Sequence, residues 1–334
     1  MSATIVGGIG LAGCRNKGPE MTEVPVPILG WEVIATGHGP GPRSRHGLVY
    51  DRGAKAAVLF GGIVWGADEF TMRSDTWELR DRKWTQVTTT ETPQARHRGA
   101  MVYLDSQKHS LLFGGHSRSG DFLGDTWAYS DRSWRRLRPK GAAPSPRCGH
   151  CMAYDEQTGT AVLFGGLDPD DKPFGDTWLC DGTSWKKVEG VGPRPRRYAS
   201  MAYDPDLKGC LLHGGAKDDN GRVTYGDAWL FQAGVWKPLG KDFETDPRDD
   251  HGLGYHRVAK RMVMLDGVAG KRGVLVREGK GWRPVEADPL HPQHQCSPLA
   301  WNDELGGLLL YGGEARHGGP QFDTTLVLRM PAAT

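Results

Sequence analysis

No run of this chain reaches the roughly 18 to 20 apolar residues that a membrane-spanning helix needs, so nothing in its body is built to cross a bilayer as a helix. Excess charge is missing too. Lys and Arg number 42 against 40 Asp and Glu, and the resulting +2 argues against a bulk electrostatic grip on nucleic acid. Cysteine is scarce and irregular: besides Cys14 there are Cys148, Cys151, Cys180, Cys210 and Cys296, an odd set whose spacing gives no disulfide framework. There is no nucleophile motif, phosphate loop or His-Glu-x-x-His, which removes the ready-made signatures of hydrolases, nucleotide enzymes and zinc proteases. What the chain has in abundance is glycine, 48 in 334 residues, and tryptophan, 12, the composition of a turn-rich β protein.

The first residues differ from the rest. Residues 5–13 are small and apolar, and Leu11-Ala12-Gly13-Cys14 resembles the lipobox of bacterial lipoproteins, whose cysteine is acylated and becomes the new N-terminus. A polar spacer follows. Residues 1–28 therefore read as a leader and linker, with lipidation at Cys14 and an extracytoplasmic location. If the match is chance, the segment is a plain leader and the protein cytoplasmic.

From there to the end the chain repeats. Leu-Phe-Gly-Gly or a variant ends at Gly62, Gly115, Gly166, Gly215 and Gly313, roughly every 50 residues, and Asp266-Gly267 is a weak copy in the gap. About ten residues later comes Asp-Thr-Trp or a variant, at Trp77, Trp127, Trp178 and Trp229, and a second tryptophan follows at Trp84, Trp134, Trp185, Trp236 and, in the degenerate fifth copy, Trp282. Double glycine followed by spaced aromatics at this period resembles the kelch repeat, and the match covers about residues 30 to 330. The resemblance implies an all-β, six-bladed propeller of four-stranded antiparallel blades over residues 29–334. One such sheet has two apolar faces and is barely stable alone; a ring gives each blade a neighbour on both sides. The last repeat ends after its third strand, while Gly30-Trp31-Glu32-Val33-Ile34 precedes the first with fourth-strand character, so the N-terminal strand is expected to complete the last blade.

In up-and-down blades the segments before the first strand and between the second and third emerge on one face, around the channel. Aligning the copies places Arg43, Arg96, Arg147, Arg196 and Arg248 in one column, with His294 in the sixth place and Arg45, Arg98 and Arg197 beside them. An arginine-rich rim suits carboxylate, sulfate or phosphate, because the guanidinium fork binds them in paired charge-assisted hydrogen bonds; some kelch adaptor domains resemble this in holding acidic peptides. The bland reading is that each arginine bonds the Asp recurring before the third strand, at Asp75, Asp125, Asp176, Asp227 and Asp323. The fifth copy has Gly273 there, which singles out Arg248 as a ligand contact. Trp65, in the longest loop and outside the repeat pattern, is a stacking candidate.

His46, His150 and His251 occupy one strand position in alternate blades, an arrangement that three imidazoles on an axis would use to hold a divalent metal; a blade-internal hydrogen bond is the competing reading. Asp168, Asp170 and Asp171 offer a calcium turn or a merely solvated one. No cofactor is otherwise expected. The function expected is a monomeric binding module for a peptide, glycan or small anionic ligand. The alternative is a carbohydrate-active enzyme at the same mouth, since sialic acid mutarotase and galactose oxidase are kelch propellers, although fold alone does not license that step.

Overall fold

The computed structural model describes residues 30–34, 39–66, 69–217, 223–265, 267, 273–285, 294–315 and 318–333. Its strands form six antiparallel blades. Blade 1 is built from Gly47–Asp51, Ala56–Phe60, Thr76–Arg80 and Lys83–Val87, here called strands a to d from the axis outward. The a strands of blades 2 to 6 are Ala100–Leu104, Cys151–Asp155, Ser200–Asp204, Leu253–His256 and Leu299–Asn302. Strand d of blade 6 is Gly30–Ile34, paired antiparallel to Thr325–Arg329 with Trp31 opposite Leu328, so the two ends of the chain close the ring together.

The recurring motifs are the joints between blades. The second glycine of each pair donates its N–H to a carbonyl of the next blade: Gly62 to Arg96 at 2.9 Å, Gly115 to Arg147 at 2.8 Å, Gly166 to Arg196 at 3.0 Å, Gly215 to Arg248 at 2.9 Å and Gly313 to Arg43 at 2.8 Å. Both glycines are required. Gly61 and Gly62 sit at φ 69° and 101°, where a side chain is strained, and a Cβ on Gly61 would lie 2.7 Å from that same Arg96 carbonyl oxygen.

The second tryptophans also reach backward. Trp84, Trp134, Trp185 and Trp236 donate their indole N–H to the threonine hydroxyl of the preceding blade's third strand, Thr325, Thr76, Thr126 and Thr177, at 2.9, 2.8, 3.1 and 2.8 Å. Blade 4 has Ala228 at that place. Trp282 of blade 5 accordingly turns to the Phe243 carbonyl at 3.1 Å, in a short 3-10 helix, Lys241–Phe243, inserted between blades 4 and 5. Between the blades the core is aliphatic and aromatic, and Cys180 and Cys210, both fully buried, belong to it.

Closure through the first strand makes a direct prediction. Removing Gly30–Ile34 exposes the partners of Trp31 and Ile34, both buried, and leaves the Thr325–Arg329 edge open; the expected cost is on the order of 5 kcal/mol in thermal or urea unfolding. Melting like that of the intact chain would contradict this closure.

Candidate functional site

The arginine column lies inside the blades. Arg43, Arg96, Arg147 and Arg196 are almost wholly buried, and each lays Nη1 and Nη2 on both oxygens of an aspartate: Asp75 at 2.7 and 2.9 Å, Asp125 at 2.6 and 2.9 Å, Asp176 at 2.6 and 2.9 Å, Asp227 at 2.5 and 2.9 Å. Nη1 also donates to the carbonyl of the first glycine, as from Arg96 to Gly114 at 3.0 Å. The aspartate accepts the indole N–H of its own Asp-Thr-Trp motif as well, Trp127 to Asp125 at 2.6 Å for example. Burial alone would raise these carboxyls, but the arginine hydrogen bonds and charge prevail and hold all four below the ordinary carboxylate range.

The expectation that this column forms the ligand-binding rim is therefore corrected: its donors are engaged within the blades. The two exceptions in sequence do not reach the surface either. Arg248 is 2% exposed, with Nε on the Asp246 carbonyl at 3.4 Å. His294 is equally buried, bonded through Nδ1 to the Gly312 carbonyl and tilted at 46° against Phe322 at 4.3 Å.

Two residues further along, the structure builds something else. Arg45, Arg98, Gly149, Tyr198, Asp250 and Cys296 occupy equivalent places in the six blades, all in the left-handed backbone region at φ between 49° and 64°. Each donates its N–H to the carbonyl of the one before: Arg98 to Arg45 at 2.9 Å, Gly149 to Arg98 at 3.0 Å, Tyr198 to Gly149 at 2.8 Å, Asp250 to Tyr198 at 3.0 Å and Cys296 to Asp250 at 3.1 Å. Arg45 to Cys296 at 2.9 Å closes the circle. This ring encircles the channel mouth, and its side chains line a vestibule of about 160 Å³ together with His46, His150, His251 and Ser200.

The vestibule is polar and unevenly neutralised. Arg45 pairs with the buried Glu314 at 2.8 Å. Arg98 is paired more loosely: Asp250 stands 3.7 Å from its Nη2, an ion pair beyond hydrogen-bond length, and its Nε is buried without a hydrogen-bond partner among the described residues. Its guanidinium lies 4.0 Å from the Tyr198 ring centroid, with that of Arg197 4.6 Å from the same ring. Gly149 makes room, since a Cβ there would come within 2.3 Å of the tyrosine ring. Desolvation, reinforced by the neighbouring arginines, lowers the pKa of both Arg98 and Arg197. Desolvation also pushes the Cys296 thiol well above its ordinary value, so it is protonated at neutral pH and no nucleophile.

Comparison with known proteins agrees with this architecture. The model of the Attractin/LZTR1 β-propeller family matches residues 5–176, half of the chain. The chain belongs to that family. Its relatives include the dynein alpha chain of the flagellar outer arm of Chlamydomonas reinhardtii, 33% identical over 179 residues, 48% of this chain and 4% of that protein. An F-box/kelch-repeat protein of Arabidopsis thaliana is 33% identical over 168 residues, 43% of this chain and 34% of that one. The chain thus spans about a third or less of these relatives' length. The solved structure of YjhT superimposes with a TM-score of 0.66 over 87% of this chain and 96% of that one at 15% identity, a likeness of fold alone.

In this Attractin/LZTR1-type propeller the three alternating histidines do not converge on the axis. His46 packs edge-on against Tyr311 of the preceding blade at 5.9 Å, His150 against Phe113 at 5.5 Å, and His251 against His213 at 5.2 Å with Nε2 to Nδ1 at 3.3 Å. Among the described residues no group of three His, Cys, Asp or Glu side chains is placed to hold a metal, which corrects the expected metal triad. Asp168 is engaged in its own turn, accepting from the N–H groups of Asp170 and Lys172 at 2.9 and 2.8 Å. Trp65 stands in a small hairpin of Ile63–Trp65 with Phe70–Met72, edge-on to Phe70 and 5.4 Å from the Arg45 guanidinium, and is not one of the residues lining the vestibule. Cys14 falls outside the described residues.

Two measurements follow from this placement. Arg96→Gln leaves Asp125 buried without its cation and should cost about 3 to 5 kcal/mol of stability, while Arg98→Gln should cost under about 1 kcal/mol; equal losses in urea melts would contradict the division. Burial also holds His46, His150 and His213 down at a pKa of about 3, neutral when folded, against about 6.5 for a free imidazole. Their stabilisation is complete above pH 6.5 and is lost as pH falls toward 3, by about 1 kcal/mol each at pH 5.5. A melting temperature unchanged from pH 7.5 to 5 would contradict their burial.

Proposed function

We propose that the propeller is a protein-binding module that receives an acidic side chain or chain end of its partner at the vestibule, with Arg98 as the principal contact and Trp65 flanking it. One observation carries the reading. Arg98 is a mostly buried cation at an open vestibule, 15% exposed, whose Nε lacks a hydrogen-bond partner among the described residues and whose nearest carboxylate is too far for a hydrogen bond. Leaving a buried charged donor unmet costs several kcal/mol, and a bound carboxylate removes that cost through charge-assisted hydrogen bonds worth about 1.5 to 3 kcal/mol each. The stacking of its guanidinium on Tyr198 fixes its plane before any ligand arrives, so little rotamer entropy remains to be lost on binding. A binding role fits the kelch-type relatives, an F-box/kelch-repeat protein among them.

A second reading is favoured by the same cavity holding Asp250 beside Arg98. A carboxylate and a cation in one pocket are what proton transfer on a sugar requires. Turnover of aldose probes by the wild type, lost in Asp250→Asn, would replace the binding reading.

The test is fluorescence anisotropy with an array of acidic peptides. Arg98→Gln should weaken binding tenfold or more with melting unchanged, and added salt should weaken it in the wild type. Equal affinities for wild type and Arg98→Gln would contradict the proposal.

A further inference from the structure

Resting on that reading of the vestibule, we propose that its ligand is a zwitterionic head group, an ammonium and a carboxylate carried a few bonds apart, with the carboxylate received by Arg98 and the ammonium by Asp250. Three observations point there. First, the two charges stand on opposite sides of the ring, in blades 2 and 5, yet their nearest atoms are 3.7 Å apart, so they face each other across the mouth without closing a hydrogen bond. A ligand with both charges would give each its own partner, whereas a bare anion bound to Arg98 would be repelled by Asp250. That makes Asp250 the residue that selects.

Second, the vestibule is small and distinct from the rest of the channel. Below the ring and the histidines, the inner strands contribute Leu48, Met101, Met152, Met201, Leu253 and Leu299, which line a separate cavity of about 210 Å³ on the far side. About 160 Å³ is room for a residue-sized head group rather than a folded segment. Third, the other arginine of the ring is already committed. Arg45 is bound to Glu314, whose second oxygen accepts the Gly318 N–H at 2.7 Å. Arg98 and Asp250 are the facing pair for an incoming ligand to divide.

This head group occurs in free amino acids and at the N-terminus of a peptide that begins with an acidic residue. Both sources are separable by calorimetric titration of the whole chain with free aspartate, with a short peptide starting in aspartate, and with the same peptide acetylated at its N-terminus. Acetylation removes the ammonium and keeps the carboxylate. In the wild type it should weaken binding about tenfold or more. Asp250→Asn, which keeps the left-handed backbone that Asn tolerates, should bring the free and acetylated peptides to within about twofold of each other, and Arg98→Gln should abolish both. Binding of free aspartate as tight as that of the peptide names the free amino acid as sufficient; weaker binding names the chain end. No effect of acetylation in the wild type, or a preference that survives Asp250→Asn, would overturn the inference while leaving the acidic contact standing. Binding unaffected by Arg98→Gln would instead remove the underlying reading.

Discussion

Around the channel mouth each blade must hand one backbone hydrogen bond to the next, and after the sixth the series has to meet its own beginning. The bond from Arg45 to the Cys296 carbonyl does this, joining the first blade to the last. A circle of such bonds forms only if every blade stands at the same angle to its neighbour, so it couples all the interfaces at once. It also has a local cost. Five of the six ring residues are not glycine yet adopt the left-handed conformation, a strain of about 1 to 2 kcal/mol each that the interfaces beneath must offset. The double glycines and the indole-to-threonine bonds provide those interfaces, and the chain ends supply the last one through Trp31 and Ile34.

The ring also explains where the candidate site lies. By fixing six equivalent residues at the mouth, it brings into one small cavity side chains from segments as far apart in sequence as Arg45 and Cys296. The scaffold is repetitive and the residues it displays are not: two arginines, a glycine, a tyrosine, an aspartate and a cysteine. Gly149 leaves the space that Tyr198 fills, and Tyr198 in turn holds Arg98 flat. Charge separation across the mouth follows from this order, with cations on blades 1 and 2 and a carboxylate on blade 5.

Much of this was legible in the sequence. The spacing of Gly-Gly and Asp-Thr-Trp gave the repeat, and strand arithmetic gave the closure through Gly30–Ile34. The arginine column at Arg43 and its equivalents was visible too, with the recurring aspartates as the alternative to a ligand rim, and the structure shows the aspartate pairing. A side chain present in nearly every copy serves what every copy needs, here the Asp and Gly contacts that hold a blade together. The residues at the mouth differ from copy to copy, so no period marks them. The signal that finds them is the column two places after the recurring arginine, where alignment breaks down into six positions of mixed chemistry. The histidine alternation misled for a related reason: sequence places His46, His150 and His251 at equivalent heights, but only packing shows that each ring turns onto the preceding blade instead of toward the axis. Blade 5 shows a further limit, since nothing in the spacing signals that, with Ala228 in place of threonine, Trp282 turns to the Phe243 carbonyl.

The closed ring is most directly tested by native-state hydrogen exchange of its own amides, those of Arg45, Arg98, Gly149, Tyr198, Asp250 and Cys296. If the six bonds form one cooperative circle, all six amides should exchange with the same free energy, equal to that of global unfolding, and should respond alike to denaturant. Exchange of one or two of them through local opening, at free energies several kcal/mol below the rest, would show blades held by their own cores and would contradict the claim that the ring couples them.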